Sequence, residues 1–583
     1  MSVPLGLYKK DGSPCEYKGY TTGKSQHDTL DEIRTAFQEN DIVIFKGMVG
    51  SGKSVVGIRL ALDQQYGRGV VAVPTKVLSD QYFDDYDGNK YFFELDNHRA
   101  SIRTLKGRNN FVCPRGSHAL AMDKTVAADE RNLPCTQDIN KTIHETRLSC
   151  LMECTSWGFV FPEERDDLRP FMKMSYPGLR HDWFLCGVSD PCPYWRQFDA
   201  YPTAACIVMN KDKWRAEVAI GRLPRTPLTV IDEADEFLDS LITTTSISNK
   251  TVNRVAEPFL DSADATLRSC ASKLYDNWLE LALATDPIRV LKSYLRPLLL
   301  ESEDELDKEL FYKVNDLIEF EAQGLLVWER EKDEKKAIIN FAMPHPDKLL
   351  KSLQDKIGGD WLLMSATLQE RSVLQSIYDI DPPVINGETS FPGKLIEVLT
   401  ATKEERSMFD KSWRKDIADS LTWFKSYRDR AFAVMKQPAL EIRHSQRYFS
   451  KDEWKRLTVE QDERLHAFIT KPEGVFSATK LDRGIDLKGV KTIFIDKYPN
   501  PGMDGLALRS IRSRLKKENP NDREETTWWQ YYGDMARRDF IQQIGRVLRK
   551  EEDVVDFWSP DIKCHQELRN AWNGKIVREV RRI

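Results

Sequence analysis

No stretch of this 583-residue sequence offers the roughly 18 uncharged apolar residues that a membrane-crossing helix needs. The first residues, MSVPLGLYKKDGSPCEY, lack the apolar core of a secretory signal. An intracellular protein is therefore expected, cytoplasmic or, in a eukaryote, nuclear. A basic excess is missing too: 86 Lys and Arg stand against 91 Asp and Glu, for a net charge of −5. That balance does not advertise a nucleic-acid binder. It does not exclude one, because a local basic groove can coexist with acidic surface elsewhere. Internal repeats and low-complexity segments are absent. Cysteine is scarce outside one region: Cys15, Cys206, Cys270 and Cys564 are scattered, whereas the other six of the ten lie between 113 and 192. In an intracellular chain of this size a disulfide framework is not expected.

The length exceeds the roughly 250–300 residues at which single cores stop growing, so several domains are expected. Asp41–Lys46 is a short apolar run with β-branched residues, ended by Gly47, and 54–62 reads as a helix. Further strands are expected at 69–74, 227–231, 361–364 and 492–495. Short apolar strands alternating with helical stretches indicate parallel α/β sheets. Two regions depart from this pattern. Residues 105–200 hold the cysteines and several loop signals, and 240–355 have apolar residues at helical spacing.

Gly47-Met-Val-Gly50-Ser51-Gly52-Lys53-Ser54 follows a strand and opens a helix. Glycines let backbone N–H groups close around phosphates at the positive end of the helix. Lys53 is expected to reach the β- and γ-phosphates of ATP, and Ser54 to ligate Mg2+. Val230-Ile231-Asp232-Glu233-Ala234-Asp235 sets carboxylates at a strand end, where Asp232 would hold Mg2+ through water and Glu233 would orient and deprotonate the attacking water. Four further pieces complete the pattern. Gln26, before the first helix, is placed to read the adenine edge. Ser365-Ala366-Thr367 follows a strand. Thr479-x-x-x-Arg483-Gly484-Ile485-Asp486 supplies Gly484 and Asp486 to the nucleotide. Gln542-x-x-Gly545-Arg546-x-x-Arg549 is read on an amphipathic helix starting near Ala536, with the two arginines one turn apart and aimed into a shared cleft.

In this order the motifs resemble those of a superfamily 2 helicase. The stretches from Lys53 to Asp232 and from Asp235 to Ser365 far exceed the roughly 30 residues of a βαβ unit, so both are expected to hold inserted domains. The first opens on Leu105-Lys-Gly-Arg108-Asn-Asn-Phe-Val-Cys113 and closes on Cys192-Pro-Tyr-Trp195. Both ends resemble the bracketing motifs of the XPD/DinG family of iron–sulfur helicases. That resemblance implies a four-cysteine [4Fe–4S] cluster in lobe one and a helical arch before the S-A-T motif. It points to Cys113, Cys192, Cys154 and Cys186 as ligands, with Cys135 and Cys150 as alternates. Four thiolates can also hold zinc, although the spacings Cys150-x3-Cys154 and Cys186-x5-Cys192 are loose for it.

The expected architecture is α/β: two RecA-like P-loop motor lobes, with an iron–sulfur insertion and a helical arch insertion in the first. Lobe one would span 1–104 and 201–240, the cluster insertion 105–200, the arch 241–358 and lobe two 359–583. Tyr82, Lys106, Arg108, Tyr194, Trp195 and Arg196 are candidates for strand contacts by stacking and phosphate binding, Arg108 foremost. The resemblance implies a monomeric ATP-driven DNA helicase that tracks single-stranded DNA 5′ to 3′ and opens forked DNA, in a repair context. The rival readings are an RNA helicase with zinc-stabilised insertions and an ATP-switched DNA-structure binder that does not unwind.

Overall fold

The computed structural model describes residues 6–48, 50–63, 67–88, 90–95, 98–107, 110–111, 159–160, 172–186, 193–242, 244–302, 305–331, 338–400, 417–479 and 487–581. The apolar runs become two parallel sheets. In the first, β1 (Ile42–Lys46), β2 (Gly69–Val73), β3 (Ile102–Leu105), β4 (Cys206–Asn210), β5 (Leu228–Asp232), β6 (Asp360–Ser365) and β7 (Val384–Asn386) lie in the order β7-β1-β6-β5-β2-β4-β3. Central strands of such a sheet are covered on both faces, which is why β2 and β5 read as unbroken apolar runs and are buried at every position. The second sheet holds β8 (Lys394–Thr400), β9 (Ala439–Ile442), β10 (Val475–Ala478), β11 (Thr492–Ile495), β12 (Val554–Trp558) and β13 (Lys575–Arg581), in the order β10-β9-β11-β12-β8-β13.

The boundary expected at residue 359 is corrected. Strand β6, which carries the S-A-T motif, belongs to the first sheet. It inserts between β1 and β5, pairing Trp361 with Ile42 and Asp360 with Leu228. Strand β7 extends the same sheet from β1, so the second lobe starts near β8. The arch is also shorter than 241–358. Its helices, between Asn249 and Ala322, pack on a three-stranded antiparallel sheet of Thr244–Ser248, Val327–Arg330 and Ile338–Ala342. The following helix, Pro346–Ile357, returns Leu350, Leu353 and Ile357 to the first-lobe core.

The cysteine-bearing region also yields ground to the lobe. Segment Pro193–Thr203 is core, with Tyr194, Trp195, Phe198 and Tyr201 buried in the cluster that holds Ile207 and Trp214. The two ends of the insertion are pinned together by one side chain: Gln197 Oε1 accepts from Lys106 N at 2.8 Å, and Gln197 Nε2 donates to Lys106 O at 3.0 Å. Beneath this stem lies a buried ion cluster. Arg222 Nη2 and Lys213 Nζ reach Glu217 Oε1 at 2.8 and 3.2 Å, while the Arg222 guanidinium stands 5.3 Å from the Phe198 ring and the Lys213 ammonium 4.6 Å from it. Burial alone would raise the Glu217 pKa, but the two cations overrule it and hold it near about 2. Glu217→Gln leaves two buried cations without their counter-charge. It is expected to cost about 3–5 kcal/mol of stability in chemical denaturation. A loss below about 1 kcal/mol is what a solvent-screened cluster would give instead.

One helix joins the lobes. Trp528 and Tyr531, early in the 20-residue α5 (Thr526–Gly545), lie in the first-lobe core, and Ala536, Phe540 and Ile544 lie in the second. The remaining helices that frame the site are α1 (Gln26–Ala36), α2 (Lys53–Ala61), α3 (Ala234–Asp239) and α4 (Arg371–Tyr378).

Candidate nucleotide site between the lobes

The glycine loop leaves β1 and turns into α2. Gly50 and Gly52 adopt φ of 77° and 82°, a left-handed backbone that residues with a Cβ rarely tolerate. A Cβ at Gly47 would stand 2.7 Å from Ser51 Oγ, so a larger residue here would make the Ser51 side chain shift. Lys53 is buried and its Nζ donates to Gly47 O at 2.8 Å, closing the loop on itself. Gly47 N donates to Ser365 O at 3.1 Å, so the S-A-T strand abuts the loop directly. Ser51 Oγ is buried with no hydrogen-bond partner among the described residues, as expected of a loop built to meet further acceptors.

Gln26 does not precede α1 but opens it. Its amide is committed within the protein: Oε1 accepts from Lys18 N at 2.8 Å and Nε2 lies 3.4 Å from Ser51 O and Gly52 O. In this arrangement it braces the loop and does not present a free edge to a base.

Asp232 ends β5 and is buried. Tyr82, read from sequence as a stacking candidate, is 2% exposed and instead donates its hydroxyl to Asp232 Oδ2 at 2.8 Å, with the Ser54 side chain beside it. Tyr82 thus brings Ser54 and Asp232, the two candidate ligands for Mg2+, to one spot. A hydroxyl and a buried carboxylate beside a lysine form a donor set suited to a hard cation and phosphate. Burial and the neighbouring Glu233 push the Asp232 pKa up to about 6, against the opposing pull of Lys53. Mg2+-dependent ATP binding is therefore expected to weaken as pH falls through about 6, with Asp232→Asn abolishing that limb of a binding titration. The stability effect has the opposite sign. The folded-state pKa lies above the unfolded value of about 3.9, so between these values the folded state takes up the proton first, and this residue adds stability as pH falls.

Glu233 is the left-handed N-cap of α3, at φ 49° and ψ 55°, an arrangement that costs energy in a non-glycine residue. The second lobe meets it there. Gln542 Nε2 donates to Thr367 Oγ1 at 2.6 Å and lies 3.4 Å from Glu233 Oε2. Thr367 Oγ1 and Ser365 Oγ in turn donate to Asp235 at 3.0 and 2.8 Å. Arg546 is buried and Arg549 half-buried. The helix expectation for them is corrected: α5 begins at Thr526, ten residues before Ala536, and ends at Gly545, so both arginines lie beyond its last turn. The Arg549 carbonyl stands 4.0 Å from a Cβ position built on Gly50, which places this post-helical segment against the phosphate loop.

Beside the site, a cleft of about 510 Å3 separates the lobes. Thr75 and Lys211 line it from one side and His444, Thr479 and Asn500 from the other, with Gln542 and Arg546 at its wall. His444 is half-buried, its ring bonded to Gln543 Oε1 at 3.0 Å, and desolvation pushes its pKa down to about 4, so it faces the cleft neutral. Of the strand-contact candidates, Tyr194 and Trp195 are 4% and 2% exposed and pack as core, which removes them as stacking platforms. Lys106 pairs with Asp80 at 2.7 Å, and Arg196 is exposed. Arg108, Cys113, Cys135, Cys150, Cys154, Cys192, Arg483, Gly484 and Asp486 lie outside the described residues. The backbone of Cys186 ends the strand Asp182–Cys186, which pairs with Met172–Pro177. No motif singled out Thr75, Lys211 and His444, which line the cleft.

Two parallel sheets with a nucleotide-type loop in one and a helix reaching in from the other define a two-lobed α/β fold. Residues 414–572 match the helicase C-terminal domain family. A solved XPD helicase shares the fold with 14% identity, 95% coverage of this chain, 99% of its own and a TM-score of 0.54. The structure of S. tokodaii Xpd4 does so with 12% identity, 95% and 99% coverage and a TM-score of 0.51. No curated protein sequence matches the chain. The chain has the fold of the XPD helicases, and the resemblance to the XPD/DinG family read from its motifs is upheld in that fold.

Proposed function

We propose that this protein is an ATP-driven motor that translocates 5′ to 3′ on single-stranded DNA and separates forked duplexes in DNA repair, acting as a monomer inside the cell. The observation that carries the reading is the contact of Gln542 with Glu233 and Thr367. A residue of one lobe touches the hydrolytic carboxylate of the other, so chemistry and lobe position are linked. Bound ATP with Mg2+ would supply the phosphoryl group to be transferred and the charge that neutralises its oxygens. Gly47, Gly50, Ser51, Gly52 and Lys53 would hold the phosphates, and Ser54 and Asp232 the metal. Glu233 would take the proton from water, while Arg546 and Arg549 approach from lobe two. Lys211 and Thr75 would line the path of the strand, with Arg108 on its backbone.

We propose further that four of the cysteines between 113 and 192 hold a [4Fe–4S] cluster. The support is their number, the resemblance of the bracketing motifs, and the Lys106–Gln197 clamp that closes the stem.

An unwinding assay on forks with 5′ or 3′ tails, in DNA and in RNA, tests the motor. Opening of 5′-tailed DNA forks is expected. Preference for RNA would favour the RNA-helicase reading, and binding with ATP turnover but no strand separation would favour a structure-binding switch. Anaerobic purification should give a brown protein carrying iron and acid-labile sulfide. A colourless zinc-loaded protein would sink the cluster.

A further inference from the structure

We infer that Arg538 is a positioning residue that grips the far end of the helix capped by Glu233 and so ties the hydrolytic carboxylate to the second lobe. The inference rests on the motor reading above and adds to it the part that transmits movement.

Arg538 lies in α5 and is 1% exposed. Its guanidinium binds one carboxylate on its own helix and another on lobe one. On its own helix, Nε donates to Asp534 Oδ2 at 2.7 Å. On lobe one, Nη1 and Nη2 donate to the two oxygens of Asp239 at 2.8 and 2.9 Å, a bidentate pair. Nη1 also stands 3.6 Å from Asp235 Oδ2. Asp239 is the last residue of α3 and Glu233 its N-cap. Six helical residues span only about 9 Å, too short to bend, so a pull on Asp239 moves Glu233 as well.

Gln542 lies one turn beyond Arg538 on the same face of α5 and touches Glu233 directly. Helix α5 therefore holds α3 at both ends, Arg538 at the tail and Gln542 at the head. The first half of α5 is rooted in the first core and the second half in the other. A shift between the lobes therefore acts on this junction. Arg538 does not touch the phosphate loop, and it meets the cleft only through Asp239, so its effect should fall on coupling and spare nucleotide binding.

The test uses the full-length protein and three variants: Arg538→Lys, Arg538→Met and Asp239→Asn. KM for ATP, kcat with and without a single-stranded oligothymidylate or oligouridylate, and the melting temperature are measured for each. The expected result is a KM within about twofold of the parent. The increase in kcat on adding the strand should fall by about tenfold or more, with Lys retaining more of it than Met. A folded Arg538→Met protein stimulated as strongly as the parent overturns the inference. Should both arginine variants fail to fold, Asp239→Asn decides. It keeps the packing and removes the charge, and parental stimulation there overturns the inference equally. A parent whose turnover ignores DNA and RNA alike overturns the motor reading, and the inference with it. A stimulated parent with equally stimulated variants overturns the inference alone.

Discussion

Glu233→Gln is expected to abolish ATP turnover and leave nucleotide binding intact. The substitution is isosteric and keeps an oxygen facing Gln542 Nε2, so the strained N-cap and the contact across the lobes persist. What it removes is the ability to take a proton. A positioned general base contributes about 10²–10⁴-fold, and kcat is expected to fall by that factor. Binding depends on the loop from Gly47 to Ser54, which the change does not touch. Phosphate release and binding of a fluorescent ATP analogue separate the two effects. Turnover surviving in Glu233→Gln would remove Glu233 from the hydrolytic role and direct attention to Asp232, the other buried carboxylate.

Arg546→Ala is expected to lower kcat by about 10³-fold or more, the range for an arginine that stabilises charge on a transferring phosphoryl group. Arg546 is 4% exposed, and the segment it begins runs back against the phosphate loop at Gly50. Its loss should affect kcat far more than ATP affinity, because charge on the phosphoryl oxygens develops during transfer. Arg546→Lys keeps the charge but not the planar fork, and is expected to recover little. Single-turnover hydrolysis beside analogue binding reads the split. A parallel loss of affinity and rate would mean that Arg546 binds ground-state phosphate. Arg549, half-buried, is expected to show the smaller effect of the two.

Much of the site was legible locally. The loop from Gly47 to Ser54 needs left-handed glycines at 50 and 52 and a helix start at Lys53, and these are properties of a few adjacent residues. Asp232 and Glu233 follow a buried strand for the same local reason. Misreadings arose where a partner distant in sequence decided the outcome. Tyr82 looks like any aromatic near a motif, and only the approach of Asp232, 150 residues away, makes it a brace between candidate metal ligands. Tyr194 and Trp195 carry the stacking chemistry of a strand platform, but the core around Trp214 claims them. Arg538 reads as a surface arginine until Asp239 meets it from 299 residues away.

The sequence by itself determined that this chain builds parallel α/β layers, a phosphate loop and an adjoining acidic strand end, because β-branched runs, glycine conformations and helix starts are governed by neighbours along the chain. Only the tertiary structure decided which sheet receives the S-A-T strand, where the arch ends, and which side chains join the lobes. A parallel strand carries no local mark of its neighbours. Strand β6 fits between β1 and β5 because that place buries both its faces, and a buried arginine is set by the carboxylates that surround it.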